Sequence, residues 1–256
     1  MKIIEREIQP IVVPGLSCVR FLMRSGSQSL RPYSLLLDDE ASQHLLVNEI
    51  RCGRDSEVIV REVFPACVFS SKAVTEEVFL GVAHPAPGQD DAYGVEQVET
   101  DPRLRYSGFV LGVTNASREE KTLAGKVLCW EEGTRAPGQY RTVVGLGHFN
   151  IPAGMCRNIR VMPQLRFYPD RLVIPSSIGS CFVVDMIRIF KHTTGELLGN
   201  NVGGETGTAY SERLEGRVIL GGRKYAEPGD FLTVSIRNVT PDSVGFCGAF
   251  LGMVSV

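Results

Sequence analysis

The side chains best suited to chemistry are few and scattered. The four histidines, His44, His84, His148 and His192, never fall within five positions of one another, whereas a metal held inside a β-barrel needs closely spaced ligands. The seven cysteines, Cys18, Cys52, Cys67, Cys129, Cys156, Cys181 and Cys247, include no C-x-x-C pair. An odd number so widely spaced reads as buried free thiols of a reducing compartment, with a zinc site or a disulfide frame as the alternatives. Adjacent carboxylates at Asp38-Asp39-Glu40 and Asp90-Asp91 read as solvated turns, a weak calcium site being the alternative. No G-x-S-x-G elbow marks a nucleophile, and Ser180-Cys181 falls at an expected strand start. The run from Gly199 to Thr208 is rich in glycine like a phosphate-cradling loop. It lacks the Gly-Lys-Ser/Thr ending and reads as a flexible loop between strands. Asn115-Ala116-Ser117 and Asn238-Val239-Thr240 fit the glycosylation pattern, yet both sit where a turn explains them more simply. These residues form no catalytic constellation. The sequence predicts a protein that is not an enzyme, with no catalytic, cofactor-binding or metal-binding residue and no cofactor.

The elements that would carry such residues are organised as a repeat. Pro32-Tyr33-Ser34-Leu35-Leu36-Leu37 and Leu46-Val47-Asn48-Glu49-Ile50-Arg51 return as Pro169-Asp170-Arg171-Leu172-Val173-Ile174 and Val183-Val184-Asp185-Met186-Ile187-Arg188, both at an offset of 137 positions. Upstream, Val13-Pro14 and Cys18 match Ile151-Pro152 and Cys156 at an offset of 138. The closing segments, Phe109 to Asn115 with Leu123 to Leu128, match Leu232 to Asn238 with Phe246 to Leu251 at an offset of 123. The drop from 137 to 123 assigns 14 extra residues to the first copy; the Pro-, Gly- and Asp-rich stretch from His84 to Gly94 marks a surface loop that accounts for them.

Within each copy, short β-branched and aromatic runs are punctuated by Gly, Pro, Asn or Asp, without a recurrent helical pattern. Leu35 to Leu46 alone would suit a helix, but Pro175 and Gly179 interrupt its counterpart, so both read as strand, turn, strand. Short helices are expected around Lys72 to Phe79 and Ala209 to Leu214. The predicted fold is therefore all-β, two tandem antiparallel β-sandwiches of jelly-roll type related by internal duplication. Residues 1–131 form the first sandwich with its longer loop at 84–103, 132–141 a linker, and 142–256 the second. An immunoglobulin-like sandwich also fits each copy. Trp130 is expected at the domain junction, and Tyr33 and Tyr168 in core or edge packing rather than ligand stacking.

Composition bounds the function. With 43% hydrophobic and 22% charged residues, the 256-residue chain has ample core. A formal charge of −2 gives no case for direct nucleic-acid binding. Charges in Met1-Lys2-Ile3-Ile4-Glu5-Arg6-Glu7 and the lack of a run of about 18 apolar residues predict neither secretion by a signal peptide nor a membrane span.

The paired P-x-x-L-[LV]-[LI] openings at Pro32 and Pro169, with the paired closing hairpins ending at Leu128 and Leu251, resemble the double jelly-roll major capsid proteins of tailless icosahedral viruses. The closing pattern also resembles β proteins of phage-type genomes. The resemblance implies a self-assembling shell protein, three copies forming a block of nearly sixfold outline. It implies partners that are copies of the chain and other virion proteins, no sequence-specific nucleic acid, and residence in the virion after synthesis in a host cytoplasm. Membrane contact by the N-terminal arm stays open. The alternatives are a tandem β-sandwich binding module for adhesion or glycans, and a cupin-like enzyme that has lost its metal.

Overall fold

A computed structural model describes residues 3–24, 30–53, 57–60, 62–73, 108–131, 139–214 and 224–255. The loop expected at 84–103, Asp90-Asp91, His84, residues 132–138 of the linker and the helix expected beyond Ala73 lie outside them.

The chain is all-β, with antiparallel sheets. In the first half, β1 (Ile3–Val13), β8 (Lys121–Glu131) and β3 (Leu30–Leu37) form one sheet in the order β1-β8-β3. The facing sheet runs β2 (Cys18–Arg24), β7 (Gly108–Asn115), β4 (Leu45–Gly53), β5 (Glu57–Val60), and the short β6 (Phe64–Pro65) also pairs with β4. In the second half, β9 (Gln139–Ile151), β15 (Val244–Ser255) and β11 (Phe167–Val173) form a sheet in the order β11-β15-β9. Its partner runs β10 (Cys156–Val161), β14 (Phe231–Asn238), β12 (Phe182–Phe190), β13 (Leu197–Thr206). Both halves thus have one strand order, which is consistent with a jelly roll.

The register recurs as well. Leu45 pairs with Asn115 and Phe182 with Asn238; Ser34 pairs with Leu128 and Arg171 with Leu251; Val13 pairs with Lys121 and Ile151 with Val244. Even the irregularities recur, between Val47 and Glu49 in β4 and between Val184 and Met186 in β12. Because a one-residue slip would turn every inward side chain to solvent, matched bulges keep the same positions facing the core. In β12, Phe182, Val184, Ile187 and Ile189 are buried, and the bulge at Asp185 resets the alternation. They meet Leu146, Leu172, Phe246 and Phe250 of the opposite sheet in one apolar cluster, with Phe182 edge-on to Phe246 at 5.2 Å between ring centroids.

The two asparagines of the closing hairpins are turn anchors. Asn115 Nδ2 donates to Val13 O (2.9 Å) and Glu119 O (2.7 Å), while its Oδ1 accepts from the Ser117 N–H. Asn238 repeats the set on Ile151 O (2.8 Å), Asp242 O (2.7 Å) and the Thr240 N–H. Both side chains are fully buried, so the turn role holds and their amides have no room for a glycan.

Three local expectations change. The run from Gly199 to Thr208 is not a flexible loop: Leu197–Thr206 is strand β13. Its glycines adopt the left-handed backbone that a strongly bulged strand needs, with φ of +78° at Gly203 and +80° at Gly204. The helix expected near Ala209 is a single 3-10 turn, Gly207–Tyr210, and Ala66–Phe69 forms the same turn in the first half. Between β3 and β4 the turn contains a four-residue helix, α1 (Asp39–Ser42), where the second half has the 3-10 turn Gly179–Cys181.

Candidate functional site: the junction between the halves

The segment from Glu62 to Phe69 stays with the first half, where β6 pairs with β4, and its start also lies against the outer face of the second half's β11-β15-β9 sheet. Phe64, Ala66, Cys67, Val68 and Phe69 are buried in the first half's own core with Leu35, Val47 and Leu111, and Val143, Val173, Ala249 and Leu251 of the second half's sheet join the same apolar cluster. The inward neighbours of those strand residues, Val144, Leu172 and Phe250, belong to the second half's own core. The sheet is therefore covered on both faces. Contact is close enough that the Gly147 N–H donates to Val63 O (2.8 Å). A Cβ on Gly145 would stand 2.7 Å from Val63 O and 2.8 Å from Glu62 O, which only glycine avoids.

Beside this apolar patch sits a buried polar lock. The Glu212 side chain, in the stretch after the 3-10 turn of the second half, has no exposed surface. Its Oε1 accepts from Gln43 Nε2 (2.9 Å) and lies 3.3 Å from Arg213 Nε; its Oε2 accepts from the Ser176 N–H (3.0 Å) and the Ser211 hydroxyl (3.3 Å). Ser176 Oγ is 2.9 Å from both Glu212 Oε1 and Gln43 Oε1, so its one proton serves either acceptor. The Ser177 hydroxyl donates to Gln43 O (3.1 Å). Arg213 reaches across to Asp39 Oδ2 (2.7 Å), and Asp39 Oδ1 accepts from the Ser70 hydroxyl (2.7 Å). Lys72 Nζ adds a longer contact to Asp39 at 3.5 Å.

Electrostatics follow from this crowding. Burial by itself raises the Asp39 carboxyl, but the Ser70 hydrogen bond with the Arg213 and Lys72 charges together hold it below the usual carboxylate range. Burial pushes the Cys67 thiol well up, and the Glu212 carboxylate and the Cys247 thiol add to the effect. Burial also raises Cys247. These thiols are protonated and poor nucleophiles. Each polar group of the lock is engaged with its neighbours, so its chemistry is cohesion between halves.

The side chains singled out in the sequence are placed elsewhere or differently. His44 is half-buried, lowered by burial and by Lys121; His148 is exposed and lowered by burial; His192 is exposed. Among the described residues, no group of three or more His, Cys, Asp or Glu could hold a metal. Cys67, Cys129 and Cys247 are buried free thiols as expected, whereas Cys18 and Cys156 are exposed. Asp39 is no solvated turn residue but a member of the lock. Tyr33 is buried, and Tyr168 packs against Tyr225 at 5.4 Å. The side chain of Trp130 lies outside the described set. Sequence reasoning missed Gln43, Phe64, Ser176, Glu212 and Arg213; the one available signal was a charged pair, Glu212-Arg213, directly after a repeated element.

No family model matches the sequence, and no curated protein does. A chain in the atomic structure of Sulfolobus Turreted Icosahedral Virus aligns with all of this chain and 91% of its own length, at 10% identity and a TM-score of 0.41. Among the described residues, no helix is long and apolar enough to cross a membrane.

Proposed function

We propose that this chain is a structural protein that assembles with copies of itself into a closed shell, as a viral or phage capsid protein. The observation that carries the reading is the head-to-tail junction. Two halves of matching strand order and register are joined by unlike surfaces, a loop segment of the first on a sheet face of the second. That is the geometry expected of one ancestral sandwich duplicated and fused, with 1–131 and 142–256 as its two domains. A contact between unlike surfaces can recur around an axis and close into a ring. Three chains carrying two domains each would give a trimer of nearly sixfold outline. The resemblance to double jelly-roll capsid proteins supports the same reading.

Light scattering across a concentration series, with electron microscopy of the largest species, tests it. Trimers or closed particles are the expected result. A monodisperse monomer at every concentration in physiological buffer would overturn it and favour the tandem binding module.

A further inference from the structure

The second half carries two aromatic rings on the outer face of its β10-β14-β12-β13 sheet where the matching sheet of the first half carries none. Phe190 of β12 pairs with Phe231 of β14 and, on its other side, with Leu197 of β13. The positions that alternate with them face inward: Ile189 and Leu232 are buried and Leu198 packs on the same core, whereas neither phenylalanine belongs to that cluster. Leu197 is 58% exposed, and Met162, which follows Val161 at the end of β10, is 52% exposed. The repeat offsets of 137 and 123 place Gly53 and Gly108 where Phe190 and Phe231 stand, and those glycines pair with each other as the phenylalanines do. The sandwich therefore closes with no side chain at either place, and the fold does not call for the rings.

Two residues further along the strands, about 7 Å away, stand Arg160, Thr233 and Arg188, and Thr233 pairs with both arginines. The Arg188 stem lies over Gly199; a Cβ on that glycine would stand 2.9 Å from Arg188 Cγ. Arg160 is exposed and, among the described residues, has no hydrogen-bond or ion-pair partner. Its guanidinium donors are available to an anion. Asp185, an acid further along the sheet, is paired with Arg237 at 2.7 Å.

We infer that this face binds single-stranded nucleic acid without regard to sequence, successive bases stacking on Phe231 and Phe190 and the phosphates meeting Arg160 and the Thr233 hydroxyl. The width of the patch decides the occupant. Its apolar part is one residue deep, bounded by Arg160 and Thr233 and then by the paired Asn158 and Ser235. The apolar stripe of a docking helix is wider than that, whereas a nucleotide is a flat ring at one end and an anion at the other. Aromatics side by side on the two central strands of a four-stranded sheet give each base a ring. The formal charge of −2 belongs to the whole chain and not to this face. The inference does not depend on self-assembly.

Fluorescence anisotropy of a labelled oligothymidylate of about 12 nucleotides, titrated with the full chain at low salt, tests it. Saturable binding is expected. Phe190→Ala and Phe231→Ala should each weaken it about 5- to 150-fold, the loss of one base stack, and Phe190→Tyr should restore it. Arg160→Gln should reduce the slope of log affinity against log salt by about 0.7, one phosphate on a single strand. Leu22→Ala, on the corresponding face of the first half, should change nothing. If an alanine variant unfolds, Phe190→Leu, which keeps bulk but not the flat ring, takes its place. No binding at about 100 μM protein, binding that both phenylalanine variants leave unchanged, or equal affinity for a duplex of the same length overturns the inference. So does an acidic amphipathic peptide that binds through Phe190 and Phe231 while the oligonucleotide does not.

Discussion

Replacing Glu212 by alanine should weaken the molecule at one place, the lock between halves, and the size of the loss can be worked from its partners. Alanine leaves the Gln43 amide, the Ser176 N–H and the Ser211 hydroxyl without their acceptor in a site that Glu212 fills with no exposed surface. Each orphaned buried donor costs about 1–3 kcal/mol. Arg213 contributes little to the loss, because its side chain is 46% exposed and keeps Asp39. Some of the rest is recovered, since the Ser176 and Ser211 hydroxyls can rotate to other acceptors. The net expectation is about 3–4 kcal/mol, within the range for breaking a buried charged network. For a chain of this size that is roughly 6–16 °C in Tm. Glu212→Gln keeps the shape and one acceptor oxygen but turns an amide toward the Ser176 N–H or the Gln43 amide; about half the loss is expected. Calorimetry of both variants reads the effect, and hydrogen exchange locates it at residues 39–43 and 211–213, with the inner strands β7 and β14 unchanged. A Glu212→Ala protein within 0.5 kcal/mol of wild type would refute the claim that this carboxylate holds the halves together.

Other consequences are as direct. Asn238→Ala removes the acceptor of the Thr240 N–H and the donor to Ile151 O and Asp242 O inside a fully buried site, so chemical denaturation should show a loss of about 2–4 kcal/mol, and Asn115→Ala a similar one. Asp39 has a folded pKa below its unfolded value, so its contribution is fully present above the ordinary carboxylate pKa and is lost as pH falls through the depressed one. Asp39→Asn should flatten the acid limb of a stability profile recorded below about pH 4. Cys18 and Cys156 should react with a thiol reagent in the native protein, while Cys67, Cys129 and Cys247 react only on unfolding.

The repeat made most of the fold readable. Offsets of 137, 138 and 123 positions predicted which strands correspond, and the register pairs and bulges fall on those positions. Where two matched segments differ in local propensity, the pair was the better guide. Leu35 to Leu46 looks helical alone, yet the segment is strand, short turn and strand, because the core demands inward residues from β3 and β4. Glycine misled at 199–204, since it marks both loops and bulged strands, and only the pairing of β13 with β12 separates the two. The lock was illegible for another reason. Gln43 and Glu212 are separated by 169 positions, and nothing in the composition of either neighbourhood announces the other. Burial is settled by how the halves pack, so Asp39 read as a surface acid.

The apolar part of the junction yields one more test. A surface that is covered from the moment the chain folds can be apolar, which is where Phe64, Val173 and Leu251 are found. Apolar contacts are little affected by ionic strength, whereas exposed charges are screened within about 3 Å at 1 M salt. The thermal stability of the chain should therefore hold between 0.05 and 1 M sodium chloride, to within about 1 kcal/mol. A Tm that falls steeply with salt over this range would mean that ion pairs, and not the apolar contact, hold the halves together.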